Sequence, residues 1–510
     1  MTGAAPPFRS TPPRTIVIGA GFGGLAAALR ARALGHRVTV LDRLEQPGGR
    51  ARCFRRDGFS FDAGPTVITA PDLLDALWAL FGERRAEHVV LLPVEPWYRI
   101  RFHDGRHFDY GGDLEQMRRK VSAFSPADER GFLRLAARAA RFYRVGYERL
   151  GTRPFHRAAT MLAAVPALIG LRAWRPLYAF VSRFIRDESL RRVFTLQVLL
   201  IGGHPFRSPA LYALIGHLER VGGVWFVRGG TAALVAALVA LAERHGVEFR
   251  FGAEVTAVLV ERGAVSGVRL ASGEVLPADA VISDVDPVLL YGRLLPPAAR
   301  GRWSPRRLRR LQPSMGLFVL YFGTDRRYGD VPHHTMVLGR SFRALLDEVF
   351  GTDAVAPPQD PSLYLHRPTA TDPDLAPPGH DAFYVLAPVP CLRAPIDWTT
   401  GRRVLRDRVV AMLSDTVLPG LSRHIVSESS LAPPDFAADY LSQDGTGFAL
   451  APTLLQSAFF RFHNRDRLVS GLFLVGAGTH PGAGVPGVLC SAALVGELLR
   501  SWTPARAPVP

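Results

Sequence analysis

The stretch TIVIGAGFGGLAAAL, residues 15 to 29, decides the fold at the start of the chain. Its apolar beginning predicts a buried parallel strand, and its Ala/Leu-rich end predicts a helix. Between the two lies a G-x-G-x-x-G turn, formed by Gly19, Gly21 and Gly24, with Gly23 inside it. Glycines at such a turn keep it tight, let a pyrophosphate approach the backbone and let the helix pack on the strand. The pattern predicts a dinucleotide-binding unit.

A second strand is predicted over residues 38 to 41 and ends at Asp42, 23 residues after the first glycine of the turn. An acidic residue at this distance is expected to bind the ribose hydroxyls of the nucleotide. The sequence then reads QPGGRA, which brings together Gly48, Gly49 and Arg50. These residues suit a second approach to the pyrophosphate or ribityl chain. The pattern resembles FAD oxidoreductases of the amine-oxidase-like group rather than NAD dehydrogenases.

The other end of the chain repeats the same plan. LFLVGAGTHPGAGVPGVLCSAALVGELL, residues 472 to 499, is an apolar strand, a glycine-rich turn and a helix. More than 400 residues lie between the two glycine-rich turns. The chain is therefore expected to leave a nucleotide-binding core and to return to it.

Patterns between the two ends predict an α/β protein in which a Rossmann-type FAD-binding domain, like those of glutathione reductase and the amine oxidases, carries an inserted α+β substrate domain. A β-meander is expected over residues 255 to 276, and buried strands over residues 317 to 323 and 382 to 389. The predicted division is a disordered tail (1–14), a discontinuous FAD-binding domain (15–95, 224–289 and 455–503) and a substrate or membrane-associated domain (96–223 and 290–454).

Composition narrows the function classes. Hydrophobic residues make up 48% of the 510 and charged residues 21%, which is typical of a globular protein, and the formal net charge is +17. No nucleic-acid module stands out, so an anionic membrane face is the better expectation for this charge. Three scattered cysteines predict neither a disulfide framework nor a metal site, and favour a reducing, cytoplasmic location. Neither a signal peptide nor a spanning helix is expected.

Two segments of the sequence are candidates for contact with a membrane. ATMLAAVPALIGL, residues 159 to 171, has no charged residue, and is interpreted either as a core helix or as the wall of an apolar tunnel or a membrane-dipping face. ARGRWSPRRLRRL, residues 299 to 311, has six arginines around Trp303. Arginine beside an interfacial tryptophan suits a membrane surface. The alternative is an ordinary solvated face.

Nearly the whole chain resembles the bacterial-type phytoene desaturases, the carotenoid dehydrogenases of isoprenoid metabolism. The resemblance rests on several motifs: GAGFGGLAAAL (19–29), QPGGRA (46–51), GFSFDAGPTVIT (58–69), GVWFVRGGTAALV (223–235), LYFG (320–323), HHT (333–335), YVLAPVP (384–390) and LVGAGTHPGAGVPGV (474–488). The last of these is the most specific. The chain departs from the family at Phe462, where proline is usual, and at Asp42, where glutamate is usual.

The resemblance implies FAD as the cofactor and assigns residues to it. Those for the nucleotide and pyrophosphate are Gly19, Gly21, Gly23, Gly24, Asp42, Gly48, Gly49 and Arg50, with Val255 at the adenine. Those for the ribityl chain and flavin are Gly476, Ala477, Gly478, Thr479, Gly487 and Val488. The helix beginning near Pro486 is then expected to point its positive end at the flavin ring.

The implied reaction is stepwise two-electron desaturation of phytoene to neurosporene or lycopene, with a hydride passing to the flavin and a proton released. His480 and His334 are candidate catalytic bases, with His333 and His463 as further candidates. Expected partners are the lipid-dissolved polyene, an anionic membrane surface and a quinone or oxygen as electron acceptor. No nucleic acid is expected as a partner. A homo-oligomer on the membrane is compatible with these expectations. The expected location is peripheral, on the inner face of the cell membrane.

Three alternatives stay open at this point. The first is a carotenoid dehydrogenase for hydroxylated or thirty-carbon polyenes. The second is a flavin oxidase of a porphyrinogen or an amine, and the third is a non-enzymatic isoprenoid carrier of the same fold. No polar or aromatic cage for an amine stands out, and a carrier has no need of the complete GGR and closing motifs.

Overall fold

The computed structural model describes residues 11–156 and 158–504. Its strands are β1 (Arg14–Ile18), β2 (Arg37–Leu41), β3 (Cys53–Arg56), β4 (Phe59–Asp62), β5 (Leu91–Pro93), β6 (Tyr98–Arg101), β7 (His107–Tyr110), β8 (Trp225–Val227), β9 (Glu248–Arg250), β10 (Val255–Glu261), β11 (Ala264–Leu270), β12 (Val275–Pro277), β13 (Ala280–Ser283), β14 (Gly316–Thr324), β15 (His334–Val337), β16 (Leu363–His366), β17 (Asp381–Val389), β18 (Ile425–Leu431) and β19 (Leu472–Leu474).

Its α-helices are α1 (Phe22–Ala33), α2 (Pro71–Ala79), α3 (Leu114–Phe124), α4 (Glu129–Tyr143), α5 (Ala158–Leu171), α6 (Leu177–Val181), α7 (Glu188–Val193), α8 (Leu214–Gly222), α9 (Gly230–Arg244), α10 (Pro287–Leu289), α11 (Pro305–Arg309), α12 (Phe342–Val349), α13 (Trp398–Thr416), α14 (Pro433–Tyr440) and α15 (Val485–Arg500). Of the tail predicted over 1–14, residues 1–10 lie outside the described residues, and Arg14 already begins β1.

A parallel sheet joins the two ends of the chain. Its strand order is β19-β13-β1-β2-β9, and every neighbouring pair is parallel. The apolar side chains of β1 and β2 pack with those of α1, α9 and α15 in one hydrophobic core. β1 lies between β2 and β13, so the chain order reverses there, which is where open α/β sheets bind their ligands. This part of the predicted fold is confirmed.

Antiparallel β-structure continues the chain after β9. β10, β11 and β12 form a three-stranded antiparallel sheet, as the alternation over residues 255 to 276 predicts. It packs beside β13 and the following helices through a second core that includes Val258, Val268 and Leu290. The meander therefore covers the face of the parallel sheet opposite the core formed with α1, α9 and α15.

The other large sheet has seven strands in the order β18-β14-β17-β16-β15-β6-β7. Every residue of β14 is buried, as its apolar run predicts, because cores lie on both faces of the sheet. No strand was predicted over residues 98 to 110, where β6 and β7 lie. β6 pairs in parallel with β15, more than 200 residues later, and forms an antiparallel hairpin with β7 across the turn at Asp104 and Gly105.

Helices α3 to α8 pack against β6 and β7. Helix α5 differs from the others because large apolar side chains on it are exposed. Helix α5 exposes 70% of Leu162 and 57% of Ile169, so the core-helix interpretation of this segment is wrong. Trp303 also differs from expectation: only 7% of it is exposed, and its ring packs 4.1 Å from that of Phe462. It therefore does not present an interfacial indole, whereas Trp174, just after α5, is 47% exposed.

Apart from Arg14, the parallel sheet uses strands from the segments predicted for the FAD-binding domain. The seven-stranded sheet uses strands from the segments predicted for the substrate domain. The division into two domains stays a prediction. In the described part of the chain, no helix is both long and apolar enough to cross a bilayer.

Candidate cofactor and substrate site

One cavity of about 600 Å³ lies at the carboxyl ends of β1, β2 and β13, and both glycine-rich segments line it. The two segments also touch. A Cβ added to Gly23 would lie 3.2 Å from the Cα of Gly476. The backbone N–H of Val475 donates to the carbonyl of Ser283, 2.9 Å away, which fixes the closing segment beside β13. The predicted meeting of the two ends is thus present in the structure.

The first glycine turn is shaped by close backbone contacts. Gly19 has a φ of +101°, and its N–H donates to the carbonyl of Leu41, 2.8 Å away. A Cβ added to Gly24 would lie only 1.9 Å from the Gly19 carbonyl oxygen. Gly24 therefore allows α1 to pack on the turn rather than lining the cavity, whereas Gly19, Gly21 and Gly23 do line it.

Asp42 and Val255 lie at the same end of the cavity and line it. One carboxylate oxygen of Asp42 accepts from the N–H of Ala20 at 2.7 Å, and the other accepts from that of Leu44 at 2.9 Å. Burial raises the pKa of Asp42, and those two hydrogen bonds oppose the rise. The carboxylate is thus held in place by backbone donors at the edge of the cavity, where it was predicted to bind ribose.

The GGR loop, residues 48 to 50, contacts the first glycine turn. The N–H of Gly48 donates to the carbonyl of Ala20, 2.9 Å away, and Gly48, Gly49 and Arg50 all line the cavity. The Arg50 guanidinium donates to the Ser442 hydroxyl at 2.5 Å. Burial lowers the pKa of Arg50, so this cation has little water around it, and it is suited to an anionic phosphate.

The sequence interpretation missed Asp284, the residue that follows β13. Its carboxylate lines the cavity, accepts from the Gly24 N–H at 2.9 Å, and lies against Gly21, Gly23 and Gly476. Burial raises its pKa to about 7. The signal in the sequence was an acid at the end of a buried strand next to the predicted switch point.

We expect Asp284 to make the cofactor-free protein lose stability as pH rises. A carboxyl group with a raised folded-state pKa favours the protonated form, so ionising it destabilises the fold from the ordinary carboxyl range, near 3.8, through about 7. Asp284→Asn removes this loss. Thermal unfolding between about pH 5 and about pH 8 should show a smaller drop in Tm for the variant than for the wild type. Parallel drops in Tm would contradict the assignment.

The closing segment divides into residues that face the cavity and residues that support them. Ala477, Gly478, Gly487 and Val488 line the cavity, and α15 begins there. Gly476 and Thr479 do not: the Thr479 hydroxyl donates to the Gly476 carbonyl, 2.9 Å away.

Arg461, which the sequence interpretation did not single out, supports the same segment. Its guanidinium is buried and donates to the carbonyls of Ala477 and Thr479 at 2.6 and 3.0 Å. These hydrogen bonds fix the backbone of the closing turn beside the cavity.

The two candidate bases occupy different places. His480 lines the cavity, and its Nε2 donates to the Leu150 carbonyl at 3.2 Å. His334 does not line it and lies behind Tyr364, whose hydroxyl is 2.8 Å from His334 Nδ1. Burial lowers the pKa of His480 to about 4 and that of His334 to about 3, so both are weak bases. Their catalytic roles stay predictions.

His334 belongs to a buried cluster with His333 and His366, in which the ring nitrogens that could bind a metal lie within 4.8 Å of one another. His333 Nε2 and His366 Nε2 are 3.0 Å apart, within hydrogen-bonding distance. The cluster contains no carboxylate to balance the charge of a divalent ion, and that charge would be costly to bury. The prediction that the protein holds no metal stays a prediction.

The rest of the cavity is apolar. Side chains from α5, α8, β14 and the segment 196–201 line it, among them Leu168, Ile201, Leu218, Leu317 and Val319. Polar groups interrupt this lining, among them Thr66, Tyr98, Gln197, Glu219, Tyr364 and Tyr384. The cavity thus joins a glycine-lined, arginine-bearing end that fits a dinucleotide cofactor to a chamber that fits an apolar molecule.

Similar sequences identify the family. The family model described as flavin containing amine oxidoreductase matches residues 22–496. The chain is 45% identical to the lycopene-forming phytoene desaturase of Pseudescherichia vulneris over 95% of this chain and 99% of that protein. It is 42% identical to the neurosporene-forming phytoene desaturase of Cereibacter sphaeroides, over 95% and 94%.

Solved structures share the fold at low sequence identity. A putrescine oxidase superposes with a TM-score of 0.60 at 15% identity, covering 96% of this chain and 99% of its own. The cyclohexylamine oxidase of Brevibacterium oxydans superposes with a TM-score of 0.59 at 13% identity, covering 96% and 98%. The predicted fold class is confirmed, and the chain belongs to the flavin-containing amine oxidoreductase family and, within it, to the bacterial phytoene desaturases.

Proposed function

We propose that this protein desaturates phytoene in successive two-electron steps, with FAD as its cofactor, to form neurosporene or lycopene. One observation carries the proposal: a single cavity joins the cofactor cradle to an apolar chamber with few polar groups. A hydrocarbon offers no polar handle, so its site must rely on apolar contacts. The 45% and 42% identical relatives are phytoene desaturases, which favours this substrate over an amine or a porphyrinogen.

FAD fits the residues at the glycine-lined end. Gly19, Gly21 and Gly23 line the cavity where a pyrophosphate would approach the backbone, Arg50 supplies a cation, and Asp42 offers a carboxylate for ribose. Val255 would lie at the adenine, and Ala477, Gly478, Gly487 and Val488 at the flavin. Gly24, Gly476 and Thr479 would hold the backbone in shape around it. When bound, FAD supplies a two-electron acceptor for hydride.

The positive end of α15 also acts at this site. The helix begins at Val485, and its first turn faces the cavity. The N-terminus of a helix favours negative charge nearby, an effect that is strongest where water is excluded. The chain thereby stabilises negative charge on the cavity side of the closing segment.

An exposed apolar patch supports attachment to a membrane. The patch consists of Leu162, Ile169, Leu454, Leu455, Phe460 and Leu468. Residues next to several of these line the cavity, namely Leu168, Ser457 and Ala458. We propose that a lipid-dissolved polyene enters the cavity beside this patch.

Arginines border the same patch. The Arg467 guanidinium donates to the His156 carbonyl, 2.6 Å away, which ties the segment around Leu468 to the chain just before α5. A Cβ added to Gly301 would lie 2.6 Å from Leu468, so the arginine-rich segment 299–311 lies beside the patch. An apolar surface with a basic border suits a bilayer with anionic headgroups.

These features favour a peripheral protein on the inner, cytoplasmic face of the cell membrane, where a quinone or oxygen accepts the electrons. A homo-oligomer on the membrane is compatible with this arrangement. Two domains, with the boundaries predicted above, would then separate cofactor binding from substrate and membrane binding.

Expression in cells that accumulate phytoene tests the function. We expect the cells to become coloured, and extracted carotenoids to show the absorption of neurosporene or lycopene, because each desaturation extends the conjugated system. Expression of the protein with intact phytoene and no pigment would overturn the proposal. A pigment with a thirty-carbon or hydroxylated skeleton in cells offering those precursors would redirect it to a related substrate.

A further inference from the structure

Glu219 is a buried carboxylate in the apolar chamber. It lies near the end of α8, is 1% exposed, and lines the cavity together with Leu214, Ile215 and Leu218 of the same helix. Among the described residues, the other carboxylates that line the cavity are Asp42, Glu254, Asp284, Asp286 and Asp439. These lie at the cofactor end, so Glu219 is alone at the substrate end.

Two tyrosines approach the carboxylate of Glu219. The Tyr98 hydroxyl donates to Oε1 at 3.0 Å, whereas Oε2 is buried and accepts no hydrogen bond of standard geometry within the described residues. Tyr98 on β6, Tyr110 on β7 and Arg220 on α8 are the titratable groups that face the carboxylate. Burial raises the pKa of Glu219 to about 7, and these three neighbours oppose the rise.

Contacts between side chains lead from Glu219 toward the cofactor end. The Tyr98 ring lies 5.6 Å from the ring of His334. The Nδ1 of His334 is in turn within hydrogen-bonding distance, 2.8 Å, of the Tyr364 hydroxyl. The Tyr384 hydroxyl donates to the carbonyl of Gly64 at 3.1 Å. Tyr364 and Tyr384 both lie within hydrogen-bonding distance of the Thr66 hydroxyl, at 3.3 and 3.0 Å.

Gly64 lies at the cofactor end of this path. A Cβ added to it would lie 2.5 Å from the Arg50 carbonyl oxygen, so it touches the GGR loop. Glu219 is therefore connected to the cofactor end of the cavity through a layer of tyrosines. A polyene that extends from that end into the chamber would pass this carboxylate.

Desaturation leaves a proton that needs an acceptor. If one hydrogen leaves as hydride, positive charge develops on an allylic carbon, and the neighbouring C–H becomes acidic. A carboxylate in an apolar chamber both attracts that positive charge and accepts the proton. The imidazole of His480 is a weaker base here, because burial lowers its pKa to about 4.

We infer that Glu219 Oε2 is the proton acceptor of the desaturation, an inference that rests on the proposed function. One C–H bond would break with its electron pair, which FAD, when bound, would accept as hydride. The adjacent C–H bond breaks, its electron pair becomes the second bond of the new C=C, and its proton bonds to Oε2. The protonated Glu219 then loses that proton to water before the next step. Atoms and charge balance within this step, and the two electrons would pass to the quinone or oxygen of the proposed function before the next one.

Glu219→Gln tests the assignment in FAD-loaded protein supplied with phytoene in liposomes. We expect the desaturation rate to fall by about a hundredfold or more, because positioned bases contribute about 10²–10⁴-fold, with flavin content unchanged. The wild-type rate should rise with pH through about 7, where Glu219 ionises. In Tyr98→Phe, loss of a hydrogen bond to the ionised form should move this rise upward by about one pH unit.

The matched control is Glu243→Gln on α9, which removes an exposed carboxylate and should leave the rate and its pH profile unchanged. A Glu219→Gln rate within about threefold of wild type, far below the usual effect of losing a base, would overturn the inference. So would a Tyr98→Phe profile identical to that of the wild type, a result that does not depend on how Glu219→Gln folds. A wild-type protein inactive on phytoene would instead overturn the proposed function.

Discussion

Gly24→Ala should give a protein that has lost most of its affinity for FAD. The added Cβ would lie 1.9 Å from the Gly19 carbonyl oxygen, so α1 must move away from the turn that approaches the pyrophosphate. We expect the Kd for FAD to rise by about ten- to a hundredfold, since overpacking costs about 1–3 kcal/mol. Titrating cofactor-free protein with FAD and following flavin fluorescence measures this change.

The matched control is Gly329→Ala, because Gly329 has open space around it and an unstrained backbone. This variant should bind FAD like the wild type. Equal Kd values for the two alanine variants would show that the contact between Gly24 and Gly19 does not shape the cofactor site. Circular dichroism of both variants checks that secondary structure is retained.

The double variant Leu162→Asp, Ile169→Asp should detach the protein from membranes. Both side chains are exposed on α5 next to Leu168, which lines the cavity. Burying a leucine or isoleucine is worth roughly 1.5–3 kcal/mol, so partitioning into liposomes should fall by about a hundredfold or more. Flotation with anionic liposomes measures it, and conversion of phytoene should fall while flavin content stays constant.

Val355→Asp combined with Val426→Asp is the control for this variant, because both valines are exposed outside the apolar patch. It carries the same added charge and should float with liposomes as the wild type does. If the α5 variant also floats normally, the membrane face lies elsewhere. If it detaches but still converts liposomal phytoene at the wild-type rate, α5 is not the entry for substrate.

Local patterns were sufficient to predict the nucleotide-binding part of the fold. The glycine turn, Asp42 and the meander over 255–276 each combine periodicity with turn residues close in sequence. β14 and β17 were predictable for a related reason, since a sheet with both faces covered needs continuous apolar runs. These signals lie within single elements or between neighbouring ones.

Features that depend on distant parts of the chain were not predictable. The place of β6 in the large sheet depends on its pairing with β15, and Trp303 is buried because Phe462 packs on it. α5 is as apolar as a core helix, and only the fold shows that its face is left uncovered.

Site residues whose role depends on the folded cavity were likewise not predictable from the sequence. Asp284 and Glu219 are ordinary acids in the sequence, and their importance comes from the cavity that they face. For Asp284 the end of a buried strand was an available signal. For Glu219, which lies on an amphipathic helix, no comparable signal distinguishes it from a solvated carboxylate.

The most direct measurement reconstitutes the reaction. Purified FAD-loaded protein is mixed with anionic liposomes that contain phytoene, with quinone under anaerobic conditions or with oxygen alone, and the carotenoids are separated and identified by absorption. The account predicts loss of phytoene and formation of neurosporene or lycopene with at least one of these acceptors. Unchanged phytoene with both acceptors, in protein that carries flavin and floats with the liposomes, would contradict it.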